Sequence, residues 1–202
     1  MKLTAESKLN NADYRVIIGS SNNIPSSISN DDRELFTAFL ELDEEFKMIS
    51  TLNSTIFLIK KNDVTEKNRA SGAKIRQNLN VDIKEIAFLG SKESTYHLLE
   101  GFLLSSYQFL KYFKDTEKRQ YKMESILVDD SFGDDAIEEL FNITTAVFWA
   151  RDMVNEPVSF LNAEQLAEEI TTLGLEANLE VTVLEKAQIE ALKMGGLLSV
   201  NQ

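Results

Sequence analysis

The sequence predicts an α/β fold, and three observations carry that prediction. Short apolar runs alternate with helical patterns along the chain. At 202 residues and 43% hydrophobic, the chain can bury a sizeable core. With two prolines and eight glycines, no stretch has the composition of a flexible linker, so any junction between domains must be a structured element.

The strands come first. Tyr14–Gly19 (YRVIIG) and Thr55–Lys60 (TIFLIK) are β-branched and aromatic runs bounded by polar turns, the pattern of strands buried on both faces. Glu85–Leu89 and Ser125–Val128 read the same way. Between them lie helices. Asp63 or Thr65 can cap one that carries Ala70, Gly72 and Ala73, small side chains that permit close packing on a sheet. A second starts after Leu89-Gly90-Ser91 and spaces Leu99, Phe102, Leu103, Ser106, Leu110 and Phe113 by three and four residues, an apolar stripe facing a core.

The acidic run from Asp129 to Asp135 invites a calcium loop, but counting from Asp129 puts Gly133 fifth and Leu140 twelfth, where an EF-hand needs glycine sixth and glutamate twelfth. It reads instead as a turn feeding a helix amino terminus. That helix runs from about Asp134 to Val154, with Ile137, Leu140, Phe141, Thr144, Val147, Phe148, Arg151 and Val154 near one face. Pro157 ends it, because proline disfavours helical geometry at Glu156 and has no N–H to donate. Beyond the proline, Asn162 and Gln165 form a capping-box pair, Gly174 caps the next helix, Leu179–Leu184 reads as a strand, Glu185–Met194 as a short helix and Gly196–Val200 as another strand.

Composition limits the chemistry. The absence of cysteine excludes disulfides, thiolate metal sites and a cysteine nucleophile, and suits a reducing compartment. The single histidine, His97, has no second histidine or cysteine with which to build a conventional zinc site, and reads as a surface or internally satisfied residue. The net charge of -12 repels phosphate backbones, and the basic cluster Lys111, Lys114, Lys118, Arg119 and Lys122 is diluted by Asp115, Glu117 and Glu124. Nucleic acid is therefore not an expected partner. No apolar run approaches the ~18 residues of a membrane span, and the start Met1–Ser7 carries a lysine where a signal peptide has its apolar stretch. Cytoplasm is the expected location, where the sequons at Asn53 and Asn142 meet no glycosylation machinery.

One stretch is more specific. Ala150-Arg151-Asp152-Met153-Val154-Asn155-Glu156-Pro157, followed by Leu161-Asn162-Ala163-Glu164 and Met194-Gly195-Gly196-Leu197-Leu198-Ser199-Val200, resembles the opening of the catalytic domain of the leucyl (cytosol) aminopeptidases. Their pattern is close to Ala-Arg-Asp-Leu-Val-Asn-Glu-Pro, about forty residues, then Met-Gly-x-Leu-Leu-x-Val. Glu100-Gly101-Phe102-Leu103-Leu104-Ser105-Ser106-Tyr107-Gln108-Phe109 is similar to the family's Glu-Gly-x-x-Leu-Gly-x-Tyr-x-Phe helix. Before that the likeness is mainly in element order. Relatives often have a glycine-rich turn after the second core strand, whereas this chain has Lys60-Lys61-Asn62-Asp63.

The resemblance implies a metallo-exopeptidase that removes amino-terminal residues, often leucine, from peptides, using two divalent ions (zinc, manganese or magnesium) to activate a water. It implies a hexamer with the amino-terminal domains outside, and some bacterial relatives also bind DNA. The family's metal ligands (a lysine, several aspartates and a glutamate), with a second lysine and an arginine, all correspond to positions beyond Gln202. No catalytic, cofactor-binding or metal-binding residue is therefore assigned in this chain, which is expected to be inactive alone. Arg151, Asp152, Asn155 and Glu156 match the motif as groups that fix the junction.

The implied organisation is a three-layer, macro-domain-like α/β domain over residues 1–133, an interdomain helix over 134–156, and the first elements of a second α/β domain over 157–202. The macro-like fold implied by the family raises a rival role as a stand-alone binding module for ADP-ribose, although no glycine-rich phosphate cradle is present. A role in assembly is the third expectation, through strands after Leu179 that offer an unpaired edge to another copy.

Overall fold

The computed structural model describes residues 2–6 and 9–200; Met1, Ser7 and Gln202, which carry readings above, lie outside them. The chain divides into two compact units, residues 1–150 and 151–202.

The first unit is built on a six-stranded sheet: β1 (Lys2–Glu6), β2 (Tyr14–Gly19), β3 (Phe46–Ser50), β4 (Thr55–Lys60), β5 (Glu85–Leu89) and β6 (Ser125–Asp129). Their spatial order is β1-β6-β5-β2-β4-β3, all parallel except β3, which runs antiparallel to β4. The helices are α1 (Asn30–Leu40), α2 (Thr65–Gln77), α3 (Lys92–Ser105), the short α4 (Thr116–Arg119) and α5 (Asp134–Asn155), whose last turn passes into the second unit.

The continuous apolar runs of the strands follow from burial on both faces. Along β2, Val16 and Ile18 point to a core shared with Ile75 of α2, Leu99 and Phe102 of α3 and Leu140 of α5. Ile17 points to the opposite core, with Phe36 and Phe39 of α1. Adjacent residues face opposite sides of a strand, so a helix on each face demands apolar residues in succession. The result is three layers of α, β and α, as the sequence predicts.

The expected strands 14–19, 55–60 and 85–89 form with those bounds, and the fourth extends by one residue to Asp129. Strands β1 and β3 and helix α1 lie outside the sequence expectations. Both strands are edges, with only every second residue partly buried or a mixed pattern, and α1 is set by Ser29, whose Oγ accepts from the Asp32 amide at 3.1 Å. The acidic run acts as expected: Asp129 Oδ1 accepts from the Ser131 amide, and Gly133 turns at φ 79° into α5.

Several details differ. Neither Asp63 nor Thr65 caps α2; Val64 holds the cap position, after an Asn62 side chain that accepts its amide at 2.9 Å. Of the small residues of α2, Gly72 meets a helix rather than the sheet, since a Cβ there would lie 1.9 Å from the Leu98 carbonyl oxygen of α3, and Ala70 is exposed. The stripe on α3 stops early: Ser106 is its carboxy-terminal cap, its Oγ donating to the Phe102 carbonyl, and Leu110 and Phe113 sit in the following segment. Leu98, Leu99, Phe102 and Leu103 carry the burial. On α5 the buried positions are Ala136, Leu140 and Thr144, while Phe141 and Val154 are exposed.

The second unit holds α6 (Ala163–Glu176), α7 (Lys186–Ala191) and α8 (Gly195–Val200). Asn162 caps α6 as expected, accepting from the Gln165 amide at 2.8 Å, but the Gln165 side chain turns to Glu169 instead of closing the box. Gly174 lies inside α6 and serves packing: a Cβ there would meet Val181 Cγ2 at 2.3 Å. The helix ends in a Schellman motif around Asn178 at φ 55°, with Leu179 N–H donating to the Gly174 carbonyl and Asn178 N–H to that of Leu175.

The two strands expected here do not form. Leu179–Leu184 has no regular secondary structure, and 195–200 is helical, with the Leu197 and Leu198 amides both bonding to the Met194 carbonyl. A strand needs a neighbour to bond with, none lies beside either segment among the described residues, and the 197 and 198 amides pair within a helical turn instead. Among the described residues after Leu179, no strand therefore offers the unpaired edge expected to serve assembly.

Candidate functional site

Helices α2 and α3 cross at backbone contact. A Cβ on Gly101 would lie 2.0 Å from the Arg69 carbonyl oxygen, the counterpart of the Gly72 contact with Leu98. This crossing carries a connected group of titratable side chains. Glu100, buried on α3, accepts from Arg69 Nε of α2 at 2.8 Å and lies 3.0 Å from His97 Nδ1 one turn back. Arg69 also reaches Glu66 at 3.4 Å.

The electrostatics follow the geometry. Desolvation pushes the Glu100 carboxyl up, and the hydrogen bonds from Arg69 and His97 outweigh it, so it lies below the usual glutamate value. The bond to Glu100 raises Arg69 in turn. Beside them, desolvation and then a hydrogen bond to Glu139 push the Tyr96 hydroxyl up to about 12, and its ring stacks on Phe132 with centroids 6.2 Å apart. His97 is thus an internally satisfied residue on the outer side of α3, as its position off the apolar stripe predicts. The Glu-Gly pair of the helix motif has a physical role at both positions: the glycine lets two helices touch, and the glutamate ties them together.

In an open α/β sheet the natural ligand crevice lies at the carboxyl ends of the strands where the connections diverge, here between β2 and β5. The chain's own turn occupies it: Ser20 and Asn23 bridge, a Cβ on Gly19 would lie 2.4 Å from the Asn23 carbonyl, and Asn23 Nδ2 donates to Ser91 Oγ at 3.2 Å. The Lys60–Asp63 turn is fixed by buried Asn68, which donates to the Asn62 carbonyl at 2.7 Å and accepts from its amide at 3.0 Å. Among the described residues, no three His, Asp or Glu side chains gather as a metal site.

The motif residues sit where α5 ends. Asn155 Nδ2 donates to the Arg151 carbonyl at 2.9 Å, and the Glu156 amide to that of Asp152 at 3.0 Å, before Pro157 turns the chain. Arg151, Asp152, Asn155 and Glu156 are all engaged in polar interactions. The basic cluster from Lys111 to Lys122 is exposed along α4 and its flanking segments, as expected. Arg69 and Tyr96 were not legible as site residues; a buried glutamate's need for a donor on a neighbouring helix was the only signal for the first of them.

A three-layer α/β unit followed by a helix, a proline and this motif defines the class: a protein that carries the opening of a peptidase domain. Residues 148–202 match the family model described as "Cytosol aminopeptidase family, catalytic domain". Probable cytosol aminopeptidases of Desulforapulum autotrophicum and Syntrophotalea carbinolica are 31% and 33% identical over 132 and 148 residues, covering 62% and 66% of this chain and 26% and 29% of theirs. That of Aquifex aeolicus is 35% identical over 113 residues, 55% of this chain and 22% of its own. A tomato leucine aminopeptidase variant shares the fold with a TM-score of 0.68 at 16% identity, over 96% of this chain and 46% of its own. The chain is thus similar to the leucyl (cytosol) aminopeptidases, and it spans about a quarter of the length of the curated relatives it matches.

Proposed function

We propose that this chain is the non-catalytic amino-terminal part of a two-metal aminopeptidase that removes amino-terminal residues from peptides. In this reading residues 1–133 form the accessory domain, 134–156 the interdomain helix and 157–202 the start of the catalytic domain. The observation that carries it is the coincidence of the matched stretch, 148–202, with the helix end, proline and capped helix of the motif.

The family's metal ions, zinc or manganese, do not fit the residues present. His97 and Glu100, the one histidine–carboxylate pair, are committed to Arg69 and to each other. No step through a metal is therefore assigned to this chain. In this reading the site that binds the ions, activates water and selects peptides belongs to the remainder of the family's length, the whole protein forms a hexamer, and its setting is cytoplasmic. No described helix is long and apolar enough to cross a membrane.

The test is hydrolysis of a fluorogenic leucyl amide by the purified 202-residue chain with added manganese or zinc. No turnover is expected. Metal-dependent turnover that survives repurification would place a catalytic centre within these residues and end the proposal.

A further inference from the structure

Between α3 and β6 the chain passes through α4 with little packed beneath it. Of residues 113–122, Thr116 and Tyr121 are partly covered and the other eight are exposed. An open cavity of about 680 Å³ is lined by residues 117, 118 and 120–124, with Lys84 the one lining residue from elsewhere in the chain. Apolar burial is what holds most segments down, and a stretch without it belongs to the part of a fold that opens most readily.

Polar and ring contacts hold this segment instead, and they share residues. Gln108 accepts from the Tyr121 amide and donates to the Arg119 carbonyl, both at 2.8 Å. The Arg119 guanidinium in turn lies 4.7 Å from the centroid of Phe113, which joins the two ends of the segment. Next to Tyr121, the Lys122 amide donates to the Val81 carbonyl at 2.8 Å and its ammonium pairs with Asp82. Exposed pairs of that kind contribute little.

The contact under Tyr121 works against closure. Arg76 of α2 is 3% exposed, and its Nε and Nη2 have no hydrogen-bond partner among the described residues. The Tyr121 ring covers it, with the centroid 3.7 Å from Cζ. A ring face returns part of what the guanidinium loses with its water, but a charge and two donors buried without an acceptor cost more than one stack supplies. Lifting Tyr121 gives Arg76 back to water.

We propose that residues 113–122 are a strap that opens and closes as one piece over Arg76 while the sheet, α2 and α3 stay folded. Gln108 is its latch, and the rehydration of Arg76 favours the open state.

The experiment is native-state amide hydrogen exchange on the 202-residue chain, read residue by residue by NMR. The Gln120, Tyr121 and Lys122 amides, which bond to Thr116, Gln108 and Val81, are expected to share one protection factor, about 100-fold or more below that of Ile17 in β2. Gln108→Ala should speed exchange at all three by about tenfold, although only the Tyr121 amide loses its own acceptor. Arg76→Met keeps an unbranched stem without the charge, and should slow all three by roughly threefold or more. Three results overturn the proposal: protection of the three amides equal to that of Ile17, an unchanged Lys122 rate in Gln108→Ala, or exchange in Arg76→Met as fast as in the parent chain or faster. The first would make the segment a rigid part of the fold, the second would mean that its bonds open singly, and the third would make the Arg76 stack a clamp.

Discussion

Gly72 and Gly101 stand at the crossing of α2 and α3, each removing the one atom that would hold the helices apart. A Cβ on the first would lie 1.9 Å from the Leu98 carbonyl oxygen, and one on the second 2.0 Å from that of Arg69. Both obstacles are backbone, which cannot rotate away as a side chain would. Gly72→Ala or Gly101→Ala should therefore destabilise the first unit by about 3 kcal/mol or more, above the usual range for overpacking. Urea unfolding of each variant measures it. A loss below about 1 kcal/mol in both would mean that the helices part at little cost.

The ion pair beside that crossing predicts an acid limb. The folded Glu100 carboxyl lies below its ordinary value of 4.5, so its contribution is complete above that value and is lost as pH falls through the depressed folded value. Glu100→Gln should cost about 1–3 kcal/mol at neutral pH, the lower part being favoured because Arg69 is a third exposed. Thermal unfolding of both proteins from neutral to acid pH checks this. The difference between them should shrink below pH 4.5, and a difference independent of pH would assign the loss to packing alone.

Tyr96 gives the opposite limb. Its folded value of about 12 lies above the ordinary 10.0, so the stability it carries is present below pH 10.0 and is lost as pH rises toward about 12. Tyr96→Phe should flatten the alkaline decline and remove a late-ionising phenol from an ultraviolet titration. A wild-type titration in which every tyrosine ionises near its ordinary value would contradict the desolvated setting of that hydroxyl.

The sequence made the inner sheet legible because a strand covered on both faces has no polar positions, and β2, β4 and β5 spell that out in unbroken apolar runs. Edge strands lack the signal: Lys2–Glu6 buries nothing fully, and Phe46–Ser50 mixes Lys47 with Met48 and Ile49. Beyond Pro157 the sequence misleads for a different reason. Val181, Val183 and Leu184 have the composition of a strand, but strand identity depends on a neighbour to bond with, and the described residues supply none. The family motif was legible as a pattern of residue types. The Arg69–Glu100 pair was not, since two residues thirty-one positions apart meet only once both helices lie on the sheet.

The helix ends of the second unit give a prediction in which two similar sites should respond differently. Asn178 at φ 55° and Lys193 at φ 56° both close Schellman motifs in the left-handed region. In the second, Met194 N–H donates to the Ile189 carbonyl and Lys193 N–H to that of Glu190. Asparagine tolerates this region through its short polar side chain, whereas lysine meets the full Cβ penalty of roughly 1 kcal/mol. Glycine removes that penalty but adds unfolded-state freedom worth about 0.5–1 kcal/mol. Lys193→Gly should therefore be neutral to stabilising, by up to about 0.5 kcal/mol, and Asn178→Gly neutral to destabilising by a similar amount. Amide hydrogen exchange at Met194 and Leu179, the donors that close the two motifs, reports each site separately. Faster exchange at Met194 in Lys193→Gly would show that the lysine side chain holds the turn through contacts that outweigh its backbone strain.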